Sequence, residues 1–264
     1  MFSIILRNLC IENAEGLNFV TGGNKILTYM GVDENFDSRN ELTAQSNKRR
    51  VLIVTAHPDD ECMFFGPSIL HFTQREKALV YVICLSNGNH YGQGKVRQQE
   101  LWNSCLKLGV QKENIYLFRC DDLPDDPSIV WPTVHTANLI NQYIHALDID
   151  MVVTFDLNGV SGHVNHQAVY SSVQHLVEED LLPEECEAYS VDTVNIFRKY
   201  CSFIDVPLSY ALSSCAFTVD RKQYSLILEA MKAHNSQYVW YRKLYMVFSR
   251  YVLINTLSRI TAYS

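Results

Sequence analysis

The sequence predicts an α/β fold, in which a Rossmann-like, mostly parallel sheet is flanked by helices. Four short apolar runs are typical of buried strands and lie at 51–56, 79–85, 114–118 and 151–155. Three intervening segments place their apolar residues at helical spacing, at about 65–76, 95–108 and 133–147. Strands that alternate with helices indicate βαβ units, whose right-handed crossovers bring the carboxyl ends of the strands to one edge.

The rest of the chain continues this pattern less regularly. Gly109 is a typical C-terminal stop for the helix at 95–108. Four later elements are predicted, a helix at about 165–178, strands near 191–197 and 211–218, and a helix near 221–233. The aromatic-rich tail from Val239 to Ile260 leaves two interpretations open, a packed terminal helix or an interfacial membrane contact.

Composition and charge limit the classes of protein to which the chain can belong. The chain has 264 residues and is 47% hydrophobic, which is enough for a sizeable core. Residues 1–50 are predicted to form a weakly structured N-terminal extension, and residues 51–264 the folded domain. The net charge of −7 and the absence of a basic block argue against a nucleic-acid partner. Eight cysteines without a CxxC pair indicate neither a cysteine-ligated zinc site nor a disulfide framework.

The loop after the first predicted strand has the residues of half a metal site. A histidine and three carboxylates follow one another there: His57, Asp59, Asp60 and Glu61. Ligands in open α/β sheets bind just outside the carboxyl ends of strands, and zinc accepts histidine nitrogens and carboxylate oxygens. Taken alone, the loop is also compatible with a turn in which an aspartate caps a helix.

A second histidine-bearing loop follows the strand at 151–155. His163 and His166 lie three residues apart, so they share one face if the loop turns into a helix. Three protein ligands and a water form the usual catalytic zinc site, and His57, Asp60 and His166 would fill those positions. Asp59 and His163 would then remain free for proton transfer. Two ordinary polar residues are the alternative for the second loop alone.

Both loops resemble the signatures of a known family, the LmbE-like or PIG-L zinc-dependent de-N-acetylases, and its eukaryotic branch in particular. The matching segments lie at 56–61, 86–89, 94–101, 155–166, 194–200, 234–237 and 242–257. The resemblance implies a Rossmann-like fold and a hydrolase that removes the N-acetyl group from a glucosamine. It assigns Zn²⁺, or another divalent metal, to His57, Asp60 and His166. It also makes Asp59 the general base and His163 the oxyanion-stabilising residue.

Four further residues receive expected roles. Asn165 stands where many bacterial relatives carry an aspartate that orients the neighbouring histidine. Glu61 is expected either to hold a ligand histidine or simply to place negative charge at a helix N-terminus. Arg97 is expected to bind a substrate phosphate, with an exposed helix arginine as the alternative. Asp125 is expected to bind sugar hydroxyls, with a plain turn aspartate as the alternative.

The resemblance also implies a substrate and a place in the cell. The substrate would be the glycolipid N-acetylglucosaminyl-phosphatidylinositol, at the second step of GPI-anchor biosynthesis. The chain would then act at a membrane surface, on the cytoplasmic face of the endoplasmic reticulum, although the sequence contains no apolar stretch of about eighteen residues that would span a membrane. Two alternatives remain, a soluble N-acetylglucosaminide deacetylase and a non-catalytic α/β binding domain.

Overall fold

The computed structural model describes residues 17–21, 24–29 and 48–262. Its strands are β1 (Leu17–Thr21), β2 (Asn24–Tyr29), β3 (Arg50–Thr55), β4 (Leu79–Cys84), β5 (Ile115–Arg119), β6 (Met151–Phe155), β7 (Glu187–Val191), β8 (Ala216–Thr218) and β9 (Ile254–Arg259). Its helices are α1 (Asp60–Met63), α2 (Gly66–Leu70), α3 (Gly94–Lys107), α4 (Thr133–Ala146), α5 (Gly159–Gly162), α6 (Val164–Glu178), α7 (Ile196–Tyr200), α8 (Asp205–Leu212), α9 (Arg221–Ala233) and α10 (Trp240–Phe248). A π-helical turn at His71–Arg75 extends α2, and short 3₁₀ turns occupy 112–114, 202–204 and 250–252.

The strands form one sheet in the order β1-β2-β5-β4-β3-β6-β7-β9-β8. The five central strands, from β5 through β7, are parallel, and β2 and β9 pair antiparallel to the two sides of this block. From β3 the chain moves outward to β4 and β5, then returns to place β6 on the other side of β3. The predicted Rossmann-like fold is confirmed, and β3 and β6 flank its topological switch point, where such sheets bind ligands.

Most predicted elements lie within a residue or two of their observed bounds, but the end of the chain does not. The tail is not one terminal helix, because α10 ends at Phe248 and Ile254–Arg259 forms β9 between β7 and β8. The strand predicted at 191–197 is also wrong beyond Val191. The Asn195 side chain accepts a hydrogen bond from the Arg198 backbone and so begins helix α7 instead.

The N-terminal fifty residues are described only in part. Within the predicted extension, β1 and β2 form a hairpin that pairs with β5, and the rest of that segment up to 47 lies outside the described residues. Among the helices of the described ranges, none is long and apolar enough to cross a membrane. The seven cysteines that the structure describes are all free.

Helix α9 packs against α3 and ends beside the sheet edge that carries the two loops. Its start is a capping box, in which Asp220 Oδ1 accepts the Gln223 backbone N–H at 2.8 Å and Gln223 Oε1 accepts that of Asp220. We expect Asp220→Ala to lower the free energy of unfolding by about 1 kcal/mol, measured by urea denaturation. The exposed Lys222→Ala on the same helix serves as the control, and equal effects of the two changes would contradict the capping role.

Candidate active site

The loop between β3 and α1 is held by its own carboxylate. Asp60 Oδ2 accepts the backbone N–H groups of His57 at 2.7 Å and Ala56 at 3.1 Å. Asp59 adopts a left-handed backbone conformation with φ of 108°, which turns the chain sharply into α1. Because Oδ2 is occupied by the backbone, Oδ1 of Asp60 is the atom that faces the second histidine loop.

The loop after β6 presents His166 to that carboxylate. His166 Nδ1 lies 3.0 Å from the carbonyl oxygen of Gly159, and its ring stacks on Phe155 with centroids 3.9 Å apart. Gly159 has φ of 60°, and a Cβ at this position would lie 2.9 Å from the Cβ of His166. The close approach therefore requires glycine, and it sets the orientation of the imidazole.

The contact between His166 and Asp60 is the strongest indication of a cation site. His166 must donate its Nδ1 proton to the carbonyl of Gly159, so in the neutral ring Nε2 carries a lone pair. That Nε2 lies 3.2 Å from Asp60 Oδ1 and makes no hydrogen bond within the described chain. Two buried lone-pair atoms that face each other repel unless a proton or a metal ion lies between them. The donor set thus fits a divalent metal.

Two more histidines complete the cluster. The candidate ligand atoms of His57, His163 and His166 all lie within 4.8 Å of one another. Burial lowers the pKa of His57 to about 3, so its ring is neutral near pH 7 and has a lone pair for a metal. Burial alone would raise the pKa of Asp60, but His166 and His57 hold that pKa below the ordinary carboxyl value. The structure therefore brings together every residue of the predicted ligand set.

Asp59 lies beside this cluster between two arginines. Its Oδ2 is 2.9 Å from Arg242 Nη1 and 3.5 Å from Arg97 Nη2. Burial raises the pKa of Asp59, although both guanidinium groups oppose the shift. The carboxylate is thus held in place by two cations, and it accepts a proton more readily than a carboxylate in water.

His163 is half-buried at the mouth of the cluster. Its Nδ1 accepts the backbone N–H of Asn165 at 3.2 Å, so the proton of the neutral ring is on Nε2. Burial lowers its pKa, which favours that neutral form. The side chain of Asn165, which stands where bacterial relatives carry an aspartate, donates from Nδ2 to the carbonyl of Pro124 at 3.0 Å. The backbone of Asn165 holds the ring.

The alternative of an exposed helix arginine is wrong for Arg97, whereas the expected phosphate contact stays a prediction. Only 6% of Arg97 is exposed. Its guanidinium donates to the carbonyls of Pro58 at 2.7 Å and Gly88 at 3.0 Å, and it lies 3.2 Å from Asp125 Oδ2. Since carbonyls and carboxylates occupy both terminal nitrogens, the group stabilises the loop around Asp59.

Asp125 and Glu61 have partners that the sequence did not indicate. Asp125 Oδ1 lies 3.2 Å from His57 Nε2 in addition to its contact with Arg97. Glu61 does not hold a ligand histidine. Its buried carboxylate lies 2.6 Å from His234 Nε2 and also accepts from Ser104 and from the Asp59 backbone N–H. The Glu61–His234 pair thus stabilises the loop between β3 and α1.

Sequence reasoning missed two residues of this site, His234 and Arg242. Both lie in segments that match the family, at 234–237 and 242–257, but nothing local to either residue indicates its partner. His234 follows α9, and Glu61 raises its pKa against the effect of burial. Arg242 comes from the inner side of α10. Only packing of these distant helices against α1 could have identified them.

A polar cavity of about 350 Å³ adjoins Asp125 at the ends of β4 and β5. Its lining is formed by Ser86, Asn87, Asn89, His90, Arg119, Cys120, Asp121, Leu123, Pro124, Asp125 and Asp126. Amide, carboxylate and hydroxyl groups dominate this lining, and such groups are suited to a ligand with several hydroxyls.

Comparison with known proteins agrees with this geometry. The family model described as PIG-L, GlcNAc-PI de-N-acetylase, matches residues 52–177. The N-acetylglucosaminyl-phosphatidylinositol de-N-acetylase of Bos taurus is 42% identical over 210 residues, which cover 79% of this chain and 83% of the relative. The chain belongs to the PIG-L family. Its resemblance to that family, first seen in the two loops, is thereby confirmed.

Other PIG-L relatives extend the match along the chain. A probable N-acetylglucosaminyl-phosphatidylinositol de-N-acetylase of Dictyostelium discoideum is 34% identical over 257 residues, covering 86% of this chain and 99% of its own. Among solved structures, the N,N'-diacetylchitobiose deacetylase of Pyrococcus horikoshii has a TM-score of 0.55 at 16% identity and covers 86% of this chain and 94% of its own. That likeness shows that the PIG-L chain shares the deacetylase fold.

Proposed function

We propose that this protein removes the acetyl group from N-acetylglucosaminyl-phosphatidylinositol, the second step of GPI-anchor biosynthesis. Membership of the PIG-L family and the names of its relatives support the substrate. The observation that carries the chemistry is the pair of facing lone-pair atoms, His166 Nε2 and Asp60 Oδ1, at 3.2 Å. Residues 51–264 would form the deacetylase domain.

We infer that His57, Asp60 and His166 hold a divalent metal, with Zn²⁺ as the favoured ion. When bound, such an ion lowers the pKa of a coordinated water and polarises the amide carbonyl. The neutral ring of His57 and the low pKa of Asp60 support ligation, because both groups have lone pairs available near pH 7.

Asp59 would act as the general base and then as the general acid. Asp59 directly precedes the ligand Asp60 in the chain, and its raised pKa favours taking up a proton from water. Arg242 and Arg97 hold the carboxylate at one orientation through its Oδ2. Once protonated, Asp59 can return the proton to the departing amine of glucosamine.

His163 would stabilise the oxyanion that forms when water adds to the amide carbon. Because Nδ1 accepts from the Asn165 backbone, the Nε2–H is the donor that remains for the substrate. A neutral imidazole donates a hydrogen bond without a change of charge, and its position is fixed before the substrate binds. The sugar and inositol hydroxyls would lie toward the polar cavity, with Asp125 at its edge.

The names of the relatives support a lipid-linked substrate, and we propose that this protein acts on it at the cytoplasmic face of the endoplasmic reticulum. There its partners would be the glycolipid and the membrane surface. A soluble N-acetylglucosaminide deacetylase would act equally well on substrates that lack acyl chains. A comparison of acetate release from lipid-linked and water-soluble substrates therefore separates the two functions.

The proposed function is tested by acetate release from N-acetylglucosaminyl-phosphatidylinositol together with the metal content of the purified protein. We expect acetate release to stop after chelation and to return when Zn²⁺ is added back, because the ligand set requires a cation. An unrelated acetylated amine, such as N-acetyl-lysine, is the control substrate. Full acetate release by a metal-free protein would overturn the proposal.

A further inference from the structure

One residue of the second histidine loop has a strained backbone. Val160 has φ of 60° and ψ of −34° within the short helix α5, and only 2% of the residue is exposed. A β-branched residue rarely adopts a positive φ, because its side chain then crowds the backbone. Such a conformation persists only where the surrounding structure enforces it, and strained residues of this kind cluster at functional sites. The hydrogen bonds around Val160 therefore bear on the loop that carries His163 and His166.

Both peptide groups that flank Val160 are held by the segment after β7. The hydroxyl of Thr193 accepts the backbone N–H of Val160 at 2.9 Å. Lys199 Nζ donates to the carbonyl of Val160 at 3.1 Å, and the centroids of three tyrosine rings lie 5.9 to 6.0 Å from this ammonium group. Two hydrogen bonds from one segment thus fix the peptide planes on both sides of the strained residue.

Thr193 is itself fixed by a carboxylate. Its hydroxyl donates to Asp156 Oδ1 at 2.5 Å, and its backbone N–H donates to Asp156 Oδ2 at 2.7 Å. Asp156 directly follows β6, and Thr193 lies two residues after β7, whose last residue Val191 pairs with Phe155 in the parallel sheet. The sheet therefore brings the two residues together at the edge that also carries the histidine cluster.

The peptide group between Gly159 and Val160 connects this pair to His166. A peptide group is planar and trans, so its N–H and its C=O point in opposite directions. The N–H of Val160 faces Thr193, whereas the carbonyl of Gly159, on the other side of the same peptide, lies 3.0 Å from His166 Nδ1. The hydrogen bond that fixes one side of this peptide therefore also fixes the acceptor on its other side.

These groups form one chain of hydrogen bonds in which every donor points toward Asp156. His166 Nδ1–H donates to the Gly159 carbonyl, the Val160 N–H donates to Thr193, and the Thr193 hydroxyl donates to Asp156. We refer to Asp156, Thr193 and the Gly159–Val160 peptide as the Asp156 relay. Hydrogen bonds in such a chain polarise one another, so the charge of Asp156 makes the Gly159 carbonyl a stronger acceptor.

The Asp156 relay and the aromatic stack fix different degrees of freedom of His166. The imidazole lies parallel to the ring of Phe155, with an angle of 5° between the planes and 3.9 Å between the centroids, which sets the plane of the imidazole. The hydrogen bond to Gly159 sets the rotation within that plane, and so directs Nε2 toward Asp60 Oδ1. A stronger acceptor at Nδ1–H also makes Nε2 a more basic ligand.

We propose that Asp156 and Thr193 are positioning residues of the metal site, which act on His166 through the Gly159–Val160 peptide and raise the affinity of the site for a divalent metal. The proposal rests on the proposed assignment of His166 as a ligand and deepens it. Histidines that bind metals usually donate their other N–H to a carboxylate, a backbone carbonyl or water. In this chain a carboxylate acts on such a carbonyl through a threonine hydroxyl and a peptide group.

Zn²⁺ affinity tests the Asp156 relay independently of turnover. Metal-free protein is titrated with Zn²⁺ in competition with a chromophoric chelator, for wild type, Thr193→Val and Thr193→Ser. Valine keeps the shape of threonine without the hydroxyl, so we expect Zn²⁺ to bind about 10–100-fold more weakly. Serine keeps the hydroxyl and should restore most of the wild-type affinity. Equal Zn²⁺ affinity of wild type and a folded Thr193→Val protein would overturn the proposal, as would failure of Thr193→Ser to restore binding.

Thr218→Val is the matched control for the loss of a threonine hydroxyl. Thr218 is half-buried at the end of β8, and its hydroxyl lies 2.7 Å from that of Tyr210. This variant loses a hydrogen-bonded hydroxyl outside the Asp156 relay, so its Zn²⁺ affinity should equal that of wild type. A loss as large as that of Thr193→Val would show a general effect of the substitution and overturn the proposal.

A double-mutant cycle tests whether Asp156 acts through Thr193. Asp156→Asn keeps the shape of the side chain but removes its charge, and should weaken Zn²⁺ binding about tenfold. It also tests the relay by itself if Thr193→Val does not fold, because unchanged affinity in Asp156→Asn would overturn the proposal. Adding Asp156→Asn to Thr193→Val should cause little further loss, since the connection to His166 is already broken. Full addition of the two losses would show independent effects and reject the relay.

Zn²⁺ binding and acetate release together separate this proposal from the proposed function. A wild type that binds Zn²⁺ and releases no acetate, with weaker Zn²⁺ binding by Thr193→Val, would reject the function and retain the relay. Acetate release by wild type, with equal Zn²⁺ affinities in all variants, would retain the function and reject the relay. A wild type that binds no Zn²⁺ would reject both.

Discussion

Replacing Asp59 by asparagine is expected to lower kcat for deacetylation by about 10²–10⁴-fold while the protein keeps its metal. The change preserves the shape of the side chain but removes the group that accepts the proton of water and returns it to the amine. Its neighbour Asp60 is retained, and so are the backbone hydrogen bonds that position Asp60 Oδ1. Metal binding should therefore persist.

The measurement pairs steady-state acetate release with metal analysis of the same preparation. Asp180→Asn, at an exposed turn after α6, is the matched control and should leave both quantities unchanged. Because asparagine leaves Arg242 and Arg97 without their shared carboxylate, thermal unfolding is recorded as well. A folded, metal-loaded Asp59→Asn protein with wild-type kcat would remove Asp59 from the mechanism.

The second large effect concerns the metal itself. His166→Ala should leave the purified protein with little or no divalent metal, because it removes one of three proposed protein ligands. It also removes the donor to the carbonyl of Gly159 and the ring that stacks on Phe155. Metal content is measured after dialysis against a buffer without chelator, and deacetylation should be lost with the metal.

His175→Ala on the same helix is the matched control for this change. His175 lies nine residues farther along α6, outside the histidine cluster, and its loss should leave metal content unaltered. His166→Gln is a second variant that retains polar side-chain atoms at the site. It serves to separate the loss of a metal ligand from unfolding of the protein. Full metal occupancy in both His166 variants would exclude His166 from the ligand set.

Much of the fold was predictable because its signals are local. Four of the five central parallel strands, β3 to β6, are short apolar runs, since a strand covered on both faces requires apolar residues on both sides. The two loops that carry His57, Asp60 and His166 were found for the same reason. Each follows such a strand directly, and parallel strands bring their carboxyl ends together whatever the distance along the chain.

The local sequence pattern gave a wrong prediction where one apolar segment is compatible with two environments. The sequence pattern places the run at Ile254–Arg259 in a terminal helix. In the structure this run is strand β9, because its backbone groups pair with those at the open edge of β7. The exposed apolar residues of α10, Trp240, Leu244 and Phe248, are equally compatible with a place in the core. Composition cannot distinguish burial in protein from exposure on a surface, because both require apolar side chains.

The sequence by itself determined the parallel centre of the sheet from β3 to β6, the two loops that form the cluster and the residue types that a metal requires. Only the tertiary structure decided the partners of the charged groups. Arg97, a residue with the chemistry of a phosphate ligand, is occupied by loop carbonyls and by Asp125. Glu61 pairs with His234 across 173 residues of chain. The reason is that a buried charge must find its counter-charge in space, and packing decides which distant group lies close enough.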